Sequence, residues 1–161
     1  MKVYLAGPYR ARAAIKECAD NLTAIGFTVE ARWLDGDHQG APDAATDAPI
    51  EDRQRWARED LADIDQADVL VAFTSAGAWA LDGTRSPVPS NYGASGGRHI
   101  ETGYALAHQT PVVLIGQPEN VFHWLDAITT CADWHEAVVF LAAMLVDHER
   151  NLPRAAEAVA R

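Results

Sequence analysis

Glu101 lies in a stretch, Ser95-Gly96-Gly97-Arg98-His99-Ile100-Glu101-Thr102-Gly103-Tyr104-Ala105-Leu106-Ala107, whose residue types suit chemistry on an anionic substrate. The pattern predicts a helix that opens after Ser-Gly-Gly and carries the carboxylate just inside. Small residues at that entrance let backbone N–H groups approach an anion, and the helix N-terminus adds about half a positive charge. The same field keeps a nearby carboxylate ionised, as a nucleophile must be. A loop fit for phosphate beside an ionised Glu therefore suggests a nucleotide-like substrate. Alone the pattern is modest, because Gly-Gly often precedes a helix and a first-turn acid usually just complements the dipole.

The elements that must position Glu101 follow from alternating apolar runs and helical patterns. Val3 to Ala6 reads as a first strand ended by Gly7-Pro8, and Ile15, Cys18, Leu22 and Ile25 recur at helical spacing through about residue 26. Phe27 to Trp33 is expected as a second strand and residues 34–48 as a loop. A helix from Pro49 to Gln66 follows, with Ile50, Trp56, Leu61 and Ile64 available for its buried side. Val69 to Phe73 is continuously apolar, as in a central parallel strand. After a long loop of about residues 75–96 come the Glu101 helix (Arg98 to His108) and a fourth strand (Val112 to Ile115). A short helix or turn (Asn120 to Leu125), a fifth strand (Ile128 to Cys131) and a closing helix (Trp134 to Glu149) complete a domain over residues 1–150. The Ala-rich tail, 151–161, is expected to be helical or to dock on another subunit.

This alternation predicts a single α/β domain, Rossmann-like (flavodoxin-like), with a five-stranded parallel sheet in the order 2-1-3-4-5 and helices on both faces. Such sheets bind ligands at the carboxyl ends of their strands, at the switch point between strands one and three. The loops leaving those strands are Gly7-Pro8-Tyr9-Arg10 and the segment delivering Ser95 to Glu101, so two anion-friendly pieces meet there.

The 161 residues, 48% hydrophobic, fit one compact domain with a sizeable core. No apolar run approaches the roughly 20 residues of a membrane span, and the first strand is too short to read as a signal peptide. Cys18 and Cys131 make neither a metal pattern nor a disulfide framework, which favours a reducing, cytoplasmic setting. A net charge of −10 without a Lys/Arg cluster argues against a nucleic-acid polymer as partner. One or two arginines can still hold a single nucleotide. Asp35, Asp37 and His38 lack metal-motif spacing and read as a polar loop, so neither metal nor cofactor is expected. His99, His108 and His135 read as surface or capping residues, and Asp68 as a turn residue.

Three pieces together resemble the nucleoside 2-deoxyribosyltransferase family, including its nucleotide branch, the 2'-deoxynucleoside 5'-phosphate N-hydrolases and CMP-type hydrolases. They are Val3-Tyr4-Leu5-Ala6-Gly7-Pro8-Tyr9-Arg10, Asp60-Leu61-Ala62-Asp63-Ile64-Asp65-Gln66-Ala67-Asp68, and Ser95 to Ala107. The likeness spans most of residues 1–125 in element order. It implies that Glu101 is the nucleophile and that Asp60, eight residues before Asp68, is the second carboxylate. Where nucleoside transferases tend to carry Asp, six residues before the nucleophile, this chain has Ser95, as the phosphate-holding hydrolases do. Arg10 likewise resembles the end of the hydrolases' phosphate-gripping loop. The loop from Ser75 to Ala94, with Trp79, Asp82, Arg85, Asn91 and Tyr92, is longer than the family needs. It reads as a lid, a base-recognition loop or an interface element.

The function so implied is cleavage of the N-glycosidic bond of (2'-deoxy)nucleoside 5'-monophosphates through a glycosyl-enzyme on Glu101. Asp60 would protonate or orient the leaving base, and Tyr9 would orient Glu101 through its hydroxyl. Gly7, Arg10, Ser95, Gly96 and Gly97 would clamp the phosphate. Trp33 would stack on the base or belong to the core. The family completes its sugar site across a subunit boundary, which implies a homodimer or higher oligomer with Asn120 and His123 in the matching region. One alternative is a 2'-deoxyribosyltransferase exchanging bases between nucleosides. Another is a nucleotide-binding or sensing module without turnover, disfavoured because a binder gains nothing from two acids beside an anion.

Overall fold

Short runs of β-branched and leucine side chains, bounded by turn residues, become strands because both pleated faces can be covered. In the computed structural model, which describes residues 1–36, 48–74 and 96–159 (the side chains of Arg10 and 151–159 excepted), the strands form one sheet. They are β1 (Lys2–Ala6), β2 (Thr28–Val29), β3 (Val69–Phe73), β4 (Val112–Ile115) and β5 (Ile128–Cys131). All neighbours are parallel, in the order β2-β1-β3-β4-β5, as the alternation of elements predicted. Every residue of β3 and β4 is buried. Pairing of Tyr4 with Leu70 and of Ala6 with Ala72 brings the carboxyl ends of β1 and β3 side by side at the switch point.

The helices are α1 (Arg12–Ala24), α2 (Ile50–Gln66), α3 (Gly97–Ala107) and α4 (Trp134–Val159), so the segment after Glu149 continues as helix to Val159. α1 buries Ile15, Cys18, Ala19 and Leu22, the i, i+3, i+4, i+7 stripe of a helix lying on a core. α2 buries Ile64 but leaves Ile50 56% exposed, contrary to the expectation for its apolar side. The reason is length. A 17-residue helix is about 25 Å long, against about 17 Å for a five-residue strand, so its first turn overhangs the sheet.

β2 is also shorter than the strand expected over Phe27 to Trp33, giving way to a 3-10 turn at Arg32–Leu34. Polar groups a longer strand would offer to a ladder are captured by neighbours. The Arg32 backbone N–H and Nε donate to Asp63 of α2 at 2.9 and 2.8 Å, and the Trp33 indole N–H donates to the Leu5 carbonyl at 2.7 Å. No helix among the described residues is long and apolar enough to cross a membrane.

Candidate active site

α3 begins at Gly96, whose φ of +76° lies in the left-handed region that favours glycine. Among the described residues a Cβ added at Gly96 or Gly97 would meet nothing within 4 Å. The helix turns Arg98, Thr102 and Ala105 into the protein, and Glu101 shares that side. Its Oε1 accepts a 2.6 Å hydrogen bond from the hydroxyl of Tyr4, a β1 side chain with no exposed surface. Burial pushes the Glu101 carboxyl up, while the Tyr4 hydrogen bond and then the Arg98 guanidinium hold it down. The Tyr4 phenol is pushed well above its ordinary value, first by burial and then by the charges of Glu101 and Asp60. It therefore remains a donor.

Asp60 approaches from α2. Its Oδ1 is buried and has no hydrogen-bond partner among the described residues. Burial first, then the charges of Glu101, Asp63 and Glu59, raise its pKa to about 7, with Arg32 opposing. Two coupled carboxyls titrate as a pair. Burial raises both carboxyls, but the charge-stabilising donors, Tyr4 and Arg98, belong to Glu101, an asymmetry that favours the proton on Asp60.

Arg98, three residues before Glu101, is 6% exposed. Its Nη1 donates to the Phe73 carbonyl at 2.9 Å, its Nη2 pairs with Glu119, and its own carbonyl accepts from the Thr102 hydroxyl at 2.8 Å. Glu119 stands on the β4–β5 connection, where its backbone N–H donates to His123 Nδ1 at 3.1 Å.

The structure places the other residues singled out in the sequence as follows. The hydroxyl on Glu101 is Tyr4's, not Tyr9's. Tyr9 stands on a 3-10 turn beyond β1, and its hydroxyl accepts from Arg12 Nη1 at 3.0 Å. Trp33 is 6% exposed and its N–H donates to the Leu5 carbonyl, so it packs in the core. Gly7 follows β1, and a Cβ there would meet the tip of the Ile15 side chain of α1. His123 is 3% exposed, its Nδ1 accepts from the Glu119 N–H, and its pKa is lowered mainly by burial, so it anchors its own loop. Asn120 caps that loop. Its Oδ1 accepts from the Phe122 N–H at 2.9 Å, and its Nδ2 lies 3.3 Å from His123 Nε2 and 3.4 Å from His99 Nδ1.

Ser95, the Arg10 side chain, Asp37, His38 and the Ser75–Ala94 loop lie outside the described residues. Among the described residues no group of three or more His, Cys, Asp or Glu could hold a metal ion. Sequence reasoning missed Tyr4 and Arg98. For Tyr4 the signal is a phenol inside a fully buried strand, which must find a hydrogen-bond partner. For Arg98 it is a cation three residues before the acid, hence on the same helix face.

No family model matches the chain, and neither does any curated protein. Among solved structures the fold is shared with the 2-deoxyribosyltransferase of the psychrotolerant bacterium Bacillus psychrosaccharolyticus. The TM-score is 0.57 at 20% identity, over 85% of this chain and 90% of that one. A looser likeness, with a TM-score of 0.46 at 18% identity, covers 88% of this chain and 98% of a CMP N-glycosidase of Clostridium botulinum.

Proposed function

We propose that this chain cleaves the N-glycosidic bond of nucleoside 5'-monophosphates, with Glu101 as nucleophile and Asp60 as acid and then base. The observation that carries the reading is the contrast within the carboxyl pair. Glu101 holds a 2.6 Å hydrogen bond from Tyr4, whereas Asp60 has a buried oxygen unpartnered among the described residues and a pKa of about 7. A Glu101 oxygen attacks the anomeric carbon as the C1'–N bond breaks, and the electron pair of that bond goes to the base. The Asp60 proton goes to the departing base. Asp60, now a carboxylate, takes a proton from water while the water oxygen attacks C1' and displaces Glu101. Free base and sugar 5-phosphate leave, and both acids return to their starting states. The enzyme class draws on the sequence resemblance and on the same fold in a 2-deoxyribosyltransferase.

Ser95, Arg10 and the Gly96-Gly97 entrance favour monophosphates over nucleosides. Charge-assisted hydrogen bonds contribute about 1.5–3 kcal/mol each, so two or three of them correspond to two or more powers of ten in kcat/KM. The test is a panel of nucleosides and monophosphates, with and without an acceptor base, read by product chromatography. Monophosphates should give base and sugar phosphate, and Ser95→Asp should erase the preference by setting a charge against the phosphate. Faster transfer of deoxyribose to an added base than to water would instead establish the transferase reading.

The working form in this proposal is at least a homodimer. Around the buried His123 anchor, Val121, Phe122, Trp124 and Leu125 are 78, 66, 76 and 47% exposed, an apolar strip beside the nucleophile helix that a second copy would cover. A fully active monodisperse monomer at nanomolar concentration would rule this out.

A further inference from the structure

Arg98 is a costly residue where it stands. A guanidinium taken almost wholly out of water loses its hydration, and its Nε is buried without a hydrogen-bond partner among the described residues. A long apolar side chain would fill the same space at lower cost. What the guanidinium does instead is join three elements. It stands in the first turn of α3, reaches the carbonyl that ends β3, and pairs with Glu119 on the β4–β5 connection. Three residues further along the same helix face is Glu101.

We infer that Arg98 is a positioning residue for Glu101, pinning the first turn of α3 to the sheet and supplying the positive charge against which that carboxylate stays ionised, with Glu119 setting how much of the charge it feels. The inference rests on the reading of Glu101 as nucleophile. Among the described residues, the charged and titratable groups bearing on Glu101 are Tyr4 from β1, Asp60 from α2 and Arg98 from its own helix. Those bearing on Arg98 are Glu101 and Glu119, and Arg98 in turn bears on His123. Of these, Arg98 is the buried permanent cation. Glu119 is its counter-charge, 17% exposed in its side chain. The two should therefore act on Glu101 in opposite directions.

The experiment is the pH profile of kcat on 2'-deoxynucleoside 5'-monophosphates for the full chain and for Glu119→Gln, Arg98→Lys, Arg98→Met with Glu119→Gln, and Glu101→Gln. Glu119→Gln leaves the cation less compensated and should move the acid limb to lower pH. The double variant removes cation and counter-charge together and should move that limb up by about one pH unit. It would then be roughly tenfold slower on the acid side, recovering as pH rises. Arg98→Lys keeps a charge but not the planar fork, so its limb should stay near wild type while kcat falls at every pH. Limbs that shift together, or not at all, while Glu101→Gln is inactive would overturn the role of Arg98 and leave the nucleophile standing. An active Glu101→Gln would take both down. If the double variant does not fold, Glu119→Gln alone decides, since an acid limb that stays or rises in it refutes the inference.

Discussion

Two carboxylates one turn apart on α2 have been given opposite surroundings. Asp63 is 4% exposed and accepts from both the backbone N–H and the Nε of Arg32, whose Nη2 also donates to the Glu59 carbonyl at 3.0 Å. That clamp fastens α2 to the chain leaving β2, and it satisfies the buried charge as buried charges normally are. Among the described residues Asp60 Oδ1 has no partner, and the residue feels the charge of Glu101. On the proposed reading, the same residue type on the same helix supplies stability at one position and reactivity at the other. An unsatisfied, proton-hungry acid is a poor structural device and a good catalytic one. Substitutions at four positions, Glu101, Asp60, Asp63 and Tyr4, break this contrast.

Glu101→Gln should lower kcat by roughly three to six powers of ten, as loss of a nucleophile does, with little change in the melting temperature. A 2-fluoro sugar analogue should leave a glycosyl group on Glu101 of the wild type, seen by peptide mass spectrometry, and none on the variant. Activity within a few-fold of wild type would remove Glu101 from its role.

Asp60→Asn should cost roughly two to four powers of ten in the chemical step, and less for bases that leave without protonation. Its effect on stability has the opposite sign. The folded-state pKa is raised from 3.8 to about 7, so the folded state holds this proton more tightly, and stability is lost as pH rises through that window. The variant should therefore be more stable than wild type at pH 8, by roughly 1–4 kcal/mol in a urea titration, and no more stable at pH 4. Asp63→Ala should show the reverse pattern. Stability should fall by about 1–3 kcal/mol, moderated because the Arg32 side chain is 52% exposed, while kcat per folded molecule stays within a few-fold.

Much of this contrast was legible before any coordinates. Strand order followed from apolar runs alternating with helical patterns, whereas Glu101 and Asp60 were singled out together only through the family resemblance, because a first-turn acid and an acid on a charged helix are ordinary by themselves. What could not be read were decisions taken between elements. Tyr4 and Tyr9 are both tyrosines near the end of β1, and only the register of β1 against β3 and α3 shows which hydroxyl meets the carboxylate. Trp33 was open to either reading until its N–H was found on the Leu5 carbonyl. Arg98 looked like any first-turn cation, because its acceptors, Phe73 and Glu119, lie 25 and 21 residues away.

The finest test of the comparison is Tyr4→Phe, which removes one hydroxyl and almost no volume from a fully buried site. The hydrogen bond it deletes stabilises the ionised form of Glu101, so without it the carboxyl pKa rises and the acid limb of kcat moves up. On the proposed roles the alkaline limb belongs to Asp60, the proton donor, whose pKa burial and the charge of Glu101 raise to about 7. Raising one limb toward the other narrows the bell and lowers its peak, as the fraction of molecules with a charged Glu101 and a protonated Asp60 shrinks. A hydrogen bond to a charged group contributes about 1.5–3 kcal/mol, but part of that is returned because the bond also restrains the attacking oxygen. The expected loss is therefore about tenfold on the acid side of the optimum and smaller on the alkaline side. A loss equal at every pH would mean that Tyr4 merely shapes the pocket, and the distinction between a held Glu101 and an unheld Asp60 would lose its chemical meaning.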